Sequence, residues 1–323
     1  MSNIKIISTL GPSSLNKKFL KFSRGKINLF RINMSHVTIA NLQNQINFIK
    51  KNSNIPICVD TEGAQIRTKV KKEKYLKNNK DLKIYKNKGL VSLYPDYVFE
   101  RLRKNDCLEL GFTGLEIKIK KKLNDKLFCK VTSSGYLEKN KAVHLKNRKI
   151  KMDYLTAKDL KAIELAKRNK IKHFALSFTN SEEDVKKFNY LLKGKVKIFK
   201  LETKSAIKNL KKIMKSGQNF LIDRGDLSKE VSIEQIPVAQ RKIIRMGKKR
   251  KKNIYVATNF LESMILNNYP NRGEVNDIYS TLELGAKGLV LAAETAIGKN
   301  PMDSVTMLKK IIKIYLKNKN SVN

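Results

Sequence analysis

A lysine and two carboxylates end two short apolar runs in the second half of the chain. Lys200 and Glu202 close the run 196–199, and Asp226 lies just beyond the run 220–222 within an Arg-Gly-Asp triplet. Alternate residues of a strand share one face, so Lys200 and Glu202 point the same way. A cation beside two acids can hold a divalent metal against a phosphate or another oxyanion. Salt bridges at loop mouths are the alternative interpretation.

Further polar residues follow the other apolar runs of the chain. They are Arg31, Asn33, Ser35, His36, Asp60, Thr61, Arg67, Ser177, Thr258, Asn259, Glu294 and Thr295. Neutral oxygens with a single carboxylate suit a weakly hydrated monovalent cation, and this set comprises Asn33, Ser35, Asp60 and Thr61. The hard carboxylates Glu202 and Asp226 suit Mg²⁺ or Mn²⁺. Arg31, Arg67 and Lys200 suit phosphate or carboxylate groups.

Plain structural roles remain open for several of these side chains. Ser35 and Thr61 are residue types that commonly cap helix N-termini. His36 is also compatible with packing near the start of a helix, and Thr258 with an ordinary hydroxyl at a strand end. The sequence alone leaves both interpretations standing for these four residues.

The elements that must position these side chains alternate regularly. Eight candidate strands are the apolar runs 4–10, 26–32, 55–59, 173–178, 196–201, 219–222, 253–257 and 288–291. Amphipathic stretches lie between many of them, at 157–169, 182–193, 205–216 and 236–250. This order predicts an α/β fold, a closed (β/α)8 TIM barrel with its active site at the C-terminal strand ends. An open doubly wound sheet is the alternative, but no Gly-x-Gly-x-x-Gly turn follows the first strand.

One interval breaks the alternation. Residues 69–149 hold short β-like pieces, with turn signals at Asn124-Asp125 and Ser133-Ser134-Gly135. They predict a small, mostly β domain inserted after strand 3, with the barrel formed by residues 1–68 and 150–323. An insert in a βα loop belongs to the active-site side of a barrel, where it is well placed to act as a lid.

The composition limits the class of protein. Among 323 residues, 69 basic and 28 acidic side chains give a formal net charge of +41. This charge predicts weak, salt-sensitive attraction to polyanions, but the lysines are spread along the chain, so no specific nucleic-acid partner is expected. No apolar run of about 18 residues predicts a membrane span. The start of the chain lacks the pattern of a signal peptide, and three scattered cysteines fit a reducing, cytoplasmic location.

A series of motifs occurs in the order found in one enzyme family. The motifs are Lys5–Ser14, Arg31-Ile32-Asn33-Met34-Ser35-His36, Asp60–Thr68, Arg224-Gly225-Asp226-Leu227, Val256–Met264 and Glu294-Thr295-Ala296-x-Gly298. A single Arg-Gly-Asp carries no weight, but the ordered series is specific. On these motifs the chain resembles the pyruvate kinase family over nearly its full length. The resemblance implies that the barrel is the family's A domain and the insert its mobile B domain.

The resemblance also implies a reaction and a set of residue roles. The reaction is transfer of a phosphoryl group from phosphoenolpyruvate to ADP, giving pyruvate and ATP, with Mg²⁺ or Mn²⁺ and K⁺. Lys200 would stabilise the enolate and the transferring phosphoryl group, and Thr258 would act on the substrate. The implied substrate contacts are Arg31, Lys200, Gly225, Asp226 and Thr258. The implied metal ligands are Glu202 and Asp226 for the divalent ion, and Asn33, Ser35, Asp60 and Thr61 for K⁺. The implied nucleotide contacts are His36, Arg67 and Lys141.

The chain departs from the family pattern at several positions. Glu62 and Ile297 stand where the family has lysine, Gln65 where it has glutamate, His144 where it has asparagine, Asp223 where it has alanine, Ser228 where it has glycine, and Ala292-Ala293 where it has Ser-Gly. Ile297 and Glu62 fall on the nucleotide side, which predicts a weakened or altered nucleotide preference. With the sequence ending at Asn323, the resemblance further implies that the regulatory C-terminal domain is absent and that any homo-oligomer forms through the barrel.

Three functions are compatible with these observations. The first is a pyruvate kinase that depends on divalent metal and K⁺. The second is a diverged, pyruvate-kinase-like phosphotransferase that uses another acceptor. The third is a catalytically weak protein that binds polyanions through its charge.

Overall fold

The computed structural model describes residues 4–63, 65–87, 89–111, 114–148, 150 and 152–321. The chain divides into two compact units, one formed by Met1–Gly63 with Ala157–Asn323 and the other by Ala64–Thr156. The insert expected at 69–149 lies within the second unit, and its exact boundaries remain a prediction.

The strands are numbered along the described part of the chain. They are β1 (Lys5–Thr9), β2 (Leu29–Asn33), β3 (Ile57–Asp60), β4 (Arg67–Val70), β5 (Lys74–Leu76), β6 (Asp81–Tyr85), β7 (Val91–Tyr94), β8 (Cys107–Leu110), β9 (Glu116–Lys122), β10 (Lys126–Ser133), β11 (Gly135–Leu137), β12 (Val143–Leu145), β13 (His173–Leu176), β14 (Val196–Leu201), β15 (Asn219–Asp223), β16 (Asn253–Ala257) and β17 (Gly288–Leu291).

The helices are numbered in the same way. They are α1 (Lys17–Phe22), α2 (Ile39–Asn52), α3 (Val98–Arg101), α4 (Ala157–Arg168), α5 (Glu182–Leu191), α6 (Lys204–Lys208), α7 (Leu210–Ser216), α8 (Arg224–Leu227), α9 (Ile236–Lys249), α10 (Arg272–Leu284), α11 (Ala293–Ala296) and α12 (Pro301–Ser321). Short 3-10 helices cover Ile233–Gln235 and Glu262–Ile265. Within the described residues, no helix has both the length and the apolar character needed to cross a membrane.

Eight parallel strands of the first unit close into a barrel in the order β1, β17, β16, β15, β14, β13, β3 and β2. These strands are short apolar runs that are buried along most of their length, as expected when both faces of a parallel sheet are covered. The eight strands are those expected from the sequence, and the predicted TIM barrel is confirmed.

Inward-facing residues fill the barrel interior, two from β16 and one from each of the other seven strands. The cluster contains Ile7, Leu29, Cys58, Ala175, Ile198, Leu221, Tyr255, Ala257 and Val290. Because alternate residues of a strand share a face, the next inward position lies two residues towards the C-terminal end of each strand. The apolar layer therefore fixes the direction of the polar residues that follow it.

The barrel helices begin and end at recognisable signals. Thr38 caps α2, and its side chain accepts a hydrogen bond from the backbone N–H of Asn41. Helix α10 begins with a capping box between Asn271 and Glu274 and ends at Gly285, whose φ of 111° favours glycine. These caps satisfy backbone groups that the helix itself leaves without partners.

The single helix predicted at 205–216 is wrong. The structure has two helices there, α6 and α7, which meet at Asn209. The side chain of Asn209 donates to the backbone carbonyl of Asn180, 2.8 Å away. The backbone of Asn209, with φ of −92° and ψ of 7°, departs from helical geometry, so the break occurs at this residue.

The second unit is built mainly from β-structure. Seven strands form one sheet in the order β12, β8, β9, β10, β6, β7 and β4, and β11 pairs with β5. In β10, buried residues such as Leu127 and Val131 alternate with more exposed ones. They join a core that also contains Ile84, Leu108 and Ile117. The predicted small, mostly β insert after the third barrel strand is confirmed.

Candidate active site

A ring of polar side chains lies one layer above the apolar barrel interior. Its members are Thr9, Arg31, Asp60, Ser177, Lys200 and Asp223, each two residues after an interior residue of the same strand. All six are buried, with at most 6% of each residue exposed. Strand alternation therefore turns six polar groups towards the C-terminal end of the barrel, which is where TIM-barrel active sites form.

Lys200 is the centre of this ring. Its Nζ lies 2.6 Å from Glu202 Oε1, and 3.4 Å from both Asp60 Oδ2 and Asp223 Oδ2. Its Nζ also donates to Ser177 Oγ, 3.3 Å away. Burial lowers the pKa of Lys200, but the three carboxylates outweigh burial and raise its pKa above the ordinary value. The lysine is therefore held as an ammonium ion, with only 3% of the residue exposed.

Glu202 is a fully buried acid of the site, as is Asp60. Its Oε2 accepts a hydrogen bond from the backbone N–H of Phe178, 2.7 Å away. Its Oε1 accepts no hydrogen bond of good geometry within the described residues, although it forms the ion pair with Lys200. Burial raises the pKa of Glu202, Lys200 lowers it, and Asp226 raises it again, with a net upward shift. One buried lone pair thus remains suited to a metal cation.

Arg31 and Asp60 form the second ion pair of the ring. Arg31 Nε donates to Asp60 Oδ2 over 2.7 Å, and its Nη2 lies 2.6 Å from the same oxygen. Arg31 Nη1 donates to Thr9 Oγ1 over 2.9 Å. Burial lowers the pKa of Arg31, whereas Asp60 and Asp223 raise it further. Since a guanidinium has five N–H groups, donors remain for a bound anion.

Gly225 and Asp226 follow β15, and Thr258 follows β16. The backbone N–H of Gly225 donates to Thr258 Oγ1 over 2.9 Å. The Arg224 guanidinium donates to the backbone carbonyl of Thr258 and thereby fixes this loop. Thr258 has a φ of 72°, which is unusual for a β-branched residue and marks a strained position. Asp226 Oδ1 forms an ion pair with Lys229, 2.7 Å away.

The structure brings together three carboxylates that suit a divalent metal. Glu202, Asp223 and Asp226 each offer an oxygen, and these oxygens lie within 4.8 Å of one another. Two of the three are the divalent-metal ligands expected from the sequence. Together with the buried Glu202 Oε1, this set of hard oxygens fits Mg²⁺ or Mn²⁺.

The residues expected at a K⁺ site come from adjoining strand ends. Asn33 and Asp60 are opposite each other in the register of β2 and β3. Asn33 Oδ1 accepts from the backbone N–H of Ser35, 3.1 Å away. Thr61 Oγ1 accepts from the backbone N–H of Ser177, 2.9 Å away. The helix that follows Ser35 is α2, and its N-cap is Thr38.

The residues expected at a nucleotide belong to both units. His36 is an exposed side chain of the first unit. In the second unit, Arg67 Nη1 donates to the backbone carbonyl of Asn140, 3.2 Å away, next to Lys141. Lys141 Nζ forms an ion pair with Glu138 over 3.1 Å.

Two departures from the family pattern have clear surroundings. Glu62 is buried, and its Oε2 lies 2.7 Å from Lys158 Nζ, which also donates to the Met34 carbonyl. Ile297 is 63% exposed in the loop after α11. The first change thus introduces a buried ion pair, and the second presents an apolar surface.

Glu294 and Thr295 have structural roles in the described surroundings. Glu294 accepts hydrogen bonds from the backbone N–H groups of Ala292 and Leu261. Thr295 Oγ1 donates to the backbone carbonyl of Thr9, 2.9 Å away. These polar residues at a strand end therefore tie loops to the barrel.

The sequence placed Ser177 among the polar residues at strand ends without a role, and it marked Asp223 only as a departure from the family pattern. Ser177 Oγ donates to the Thr61 carbonyl over 2.7 Å and lies 3.3 Å from Lys200 Nζ. Asp223 lies at ion-pair distance from Lys200. The available signal was strand alternation, because each lies two residues after an interior residue of its strand, Ala175 and Leu221 respectively.

Buried cations set among carboxylates at the C-terminal end of the strands define a (β/α)8-barrel protein whose charged groups suit an anionic ligand. A family model described as the pyruvate kinase barrel domain matches residues 1–305. The chain is 33% identical to the pyruvate kinase of Methanocaldococcus jannaschii over 322 residues, which is 97% of the chain and 70% of that protein. The chain belongs to the pyruvate kinase family, and its relatives are phosphotransferases.

Other relatives agree with this assignment. The chain is 30% identical to the pyruvate kinase of Thermotoga maritima over 330 residues, covering 97% of the chain and 71% of that protein. It is also 30% identical to a plastidial pyruvate kinase of Arabidopsis thaliana over 325 residues, covering 95% of the chain and 57% of that protein. The similarity therefore extends across both units of the chain.

Proposed function

We propose that the protein transfers a phosphoryl group from phosphoenolpyruvate to ADP, giving pyruvate and ATP. The observation that carries this proposal is the buried ammonium of Lys200, set among three carboxylates at the C-terminal end of the barrel. Phosphoryl transfer needs positioning and cationic stabilisation more than covalent participation by the protein. A fixed, desolvated ammonium supplies both.

Lys200 and Arg31 are the proposed contacts for the charged parts of the substrate. When the phosphorus–oxygen bond breaks, an oxygen of ADP takes the phosphoryl group and the remaining enolate gains negative charge. Lys200 would stabilise that charge, and the free N–H groups of Arg31 would hold the phosphoryl oxygens. Thr258 and Gly225 would orient the substrate from the neighbouring strand end. Solvent supplies the proton that converts the enolate to pyruvate.

Two cation sites complete the proposal. Glu202 and Asp226 would hold Mg²⁺ or Mn²⁺, which when bound neutralises charge on the phosphoryl oxygens. Asn33, Ser35, Asp60 and Thr61 would provide oxygens for K⁺. His36, Arg67 and Lys141 would contact the nucleotide.

The test is turnover of the purified protein with phosphoenolpyruvate, ADP, Mg²⁺ and K⁺. We expect pyruvate and ATP to form in equal amounts. Lys200→Met should reduce kcat by about 100-fold to 1,000-fold or more, since it removes a preorganised charge from the transition state. Lys197→Met is the matched control, because Lys197 lies on the same strand and its Nζ instead donates to the backbone carbonyl of Leu192.

The outcomes separate the hypotheses. Absence of pyruvate formation, or equal turnover in Lys200→Met and the unchanged protein, would contradict the proposal. Unchanged turnover in Lys197→Met is required for assigning the effect to the site.

A second candidate is phosphoryl transfer to an acceptor other than ADP. It is favoured by the changes at Glu62, which pairs with Lys158, and at Ile297, which exposes an apolar side chain. Pyruvate release without ATP formation, restored to full rate by a different phosphate acceptor, would support this candidate over the first.

A further inference from the structure

Asp223 places a third carboxylate in the proposed site. It ends β15 two residues after Leu221, which belongs to the barrel interior, so its side chain also points inwards. Asp223 Oδ2 lies 3.4 Å from Lys200 Nζ, and its Oδ1 lies 3.4 Å from Thr258 Oγ1. Only 5% of the residue is exposed. The carboxylate therefore faces the same space as the proposed reaction.

The buried charged groups around Lys200, counting Glu202 together with the ring, include more acids than bases. Asp60, Glu202 and Asp223 are three buried acids, whereas Arg31 and Lys200 are two buried bases. Asp226 adds a fourth carboxylate, paired with Lys229 towards solvent. Burying an uncompensated charge is costly, so this arrangement favours binding of a positive ion.

The oxygen positions fit a single ion after small adjustments. The carboxylate oxygens of Glu202, Asp223 and Asp226 lie within 4.8 Å of one another. Two oxygens on opposite sides of one Mg²⁺ are about 4.2 Å apart, and around a larger ion they are somewhat further apart. Glu202 Oε1 is buried and accepts no well-directed hydrogen bond within the described residues, although it lies 2.6 Å from Lys200 Nζ. Two independent observations thus point to a cation.

We propose that Asp223 is a third carboxylate ligand of the divalent cation and determines how tightly the substrate-free protein binds it. The inference rests on the proposed function for the location of the metal site. It extends that function because Glu202 and Asp226 alone would leave more of the metal's charge for substrate oxygens. With Asp223 present, the ion binds before the anionic substrate and neutralises the carboxylate that the substrate would otherwise meet.

The rival role for Asp223 is to hold Lys200 in place. Lys200 already has Glu202 at 2.6 Å, and it has further contacts with Asp60 and Ser177. A positioning role therefore predicts little change in metal affinity when Asp223 is removed, whereas a ligand role predicts a large one.

The experiment is titration of the substrate-free protein with Mn²⁺, followed by the electron paramagnetic resonance signal of the free ion. We expect one tight site, with affinity reduced about tenfold or more in Asp223→Ala, because ligand charge strongly tunes affinity. Asp223→Asn should lie between the two, since it keeps an oxygen but loses the charge. Asp303→Asn is the charge-matched control, because Asp303 is exposed in the first turn of α12.

A thermal melt supplies a second measurement and a check on folding. Saturating Mg²⁺ should raise the Tm of the unchanged protein more than that of Asp223→Ala, because stabilisation follows the logarithm of metal concentration over Kd. Circular dichroism of the metal-free variant should match that of the unchanged protein.

The outcomes distinguish this inference from the proposed reaction. Equal Mn²⁺ affinity in Asp223→Ala and the unchanged protein would overturn the inference alone. Absence of any Mn²⁺ binding would overturn it together with the metal site of the proposed function. Mn²⁺ binding that depends on Asp223, in a protein that forms no pyruvate, would support the inference while the proposed reaction fails.

Discussion

Both ends of the barrel carry lysines, but the surroundings of these lysines differ between the two ends. At the C-terminal end, Lys200 is buried among carboxylates. At the N-terminal end, Lys252 and Lys287 immediately precede β16 and β17, and they line an open pocket of about 650 Å³. The same pocket is lined by Lys248, Lys251 and Lys319, together with Tyr279 and Tyr315.

The difference shows where charge requires a specific partner. A buried charge loses its hydration and must be compensated by nearby groups, whereas an exposed lysine keeps its water. Most of the net charge of +41 is carried by exposed lysines. The net charge is therefore a weak guide to function. Three predictions test this contrast between buried and exposed charges.

The largest expected effect comes from Asp60. Replacing it with alanine leaves Arg31 buried with Thr9 as its remaining hydrogen-bond partner in the ring, and it also removes a carboxylate 3.4 Å from Lys200. Breaking a buried ion pair by removing one partner costs about 3–5 kcal/mol. We expect Asp60→Ala to lower the free energy of unfolding by that amount, measured by urea denaturation with far-ultraviolet circular dichroism.

The control for Asp60 is the exposed Asp303, whose replacement by alanine should change the free energy of unfolding by no more than about 0.5 kcal/mol. A double variant, Asp60→Ala with Arg31→Met, should recover part of the loss because no unpaired guanidinium remains. A cost for Asp60→Ala as small as that of the control would break the comparison between buried and exposed charges.

The sequence predicted much of the barrel but less of the site. Strands 196–201, 253–257 and 288–291 were predicted with both ends correct, because a lysine directly precedes each of these runs. The second strand was predicted three residues too early, since the buried Ile27 precedes the strand and lies outside it. A hydropathy pattern records burial and does not separate a strand from the turn that leads into it.

The contacts within the site needed the register between strands. The pairing of β14 with β15 places Lys200 opposite Leu221. Asp223, two residues after Leu221, is the next residue of β15 on the same face. The positive φ of Thr258 is also invisible in sequence, because threonine rarely adopts it. Residue types were thus predictable from local patterns, whereas the distance between Asp223 and Lys200 depended on tertiary structure.

A smaller effect is expected from His173 at the N-terminal end of β13. Burial lowers its pKa below 6.5, and the neighbouring Lys5 and Lys172 lower it further. The folded protein therefore keeps this imidazole neutral at pH values where the unfolded chain takes up a proton. Stability that is complete above pH 6.5 should be lost as the pH falls towards the lower pKa of the folded state. We expect His173→Gln to flatten this dependence in denaturation measurements between about pH 7 and 5.5.

The unchanged protein, measured over the same pH range, provides the reference slope of stability against pH. An equal slope in His173→Gln and the unchanged protein would mean that the N-terminal end holds no buried group that responds to pH in this range.

The smallest effect is expected from the lysines of the N-terminal pocket. Replacing Lys248, Lys251 and Lys252 with glutamine should change the free energy of unfolding by no more than about 0.5 kcal/mol for each residue and leave turnover unchanged. Binding of a fluorescent single-stranded oligonucleotide should weaken steeply between about 50 and 200 mM salt in the unchanged protein, as counterion release requires. The triple variant should show a shallower salt dependence, because fewer phosphates are neutralised. Tight binding at high salt that the three replacements abolish would make this pocket a specific polyanion site, and the contrast between the two ends of the barrel would then fail.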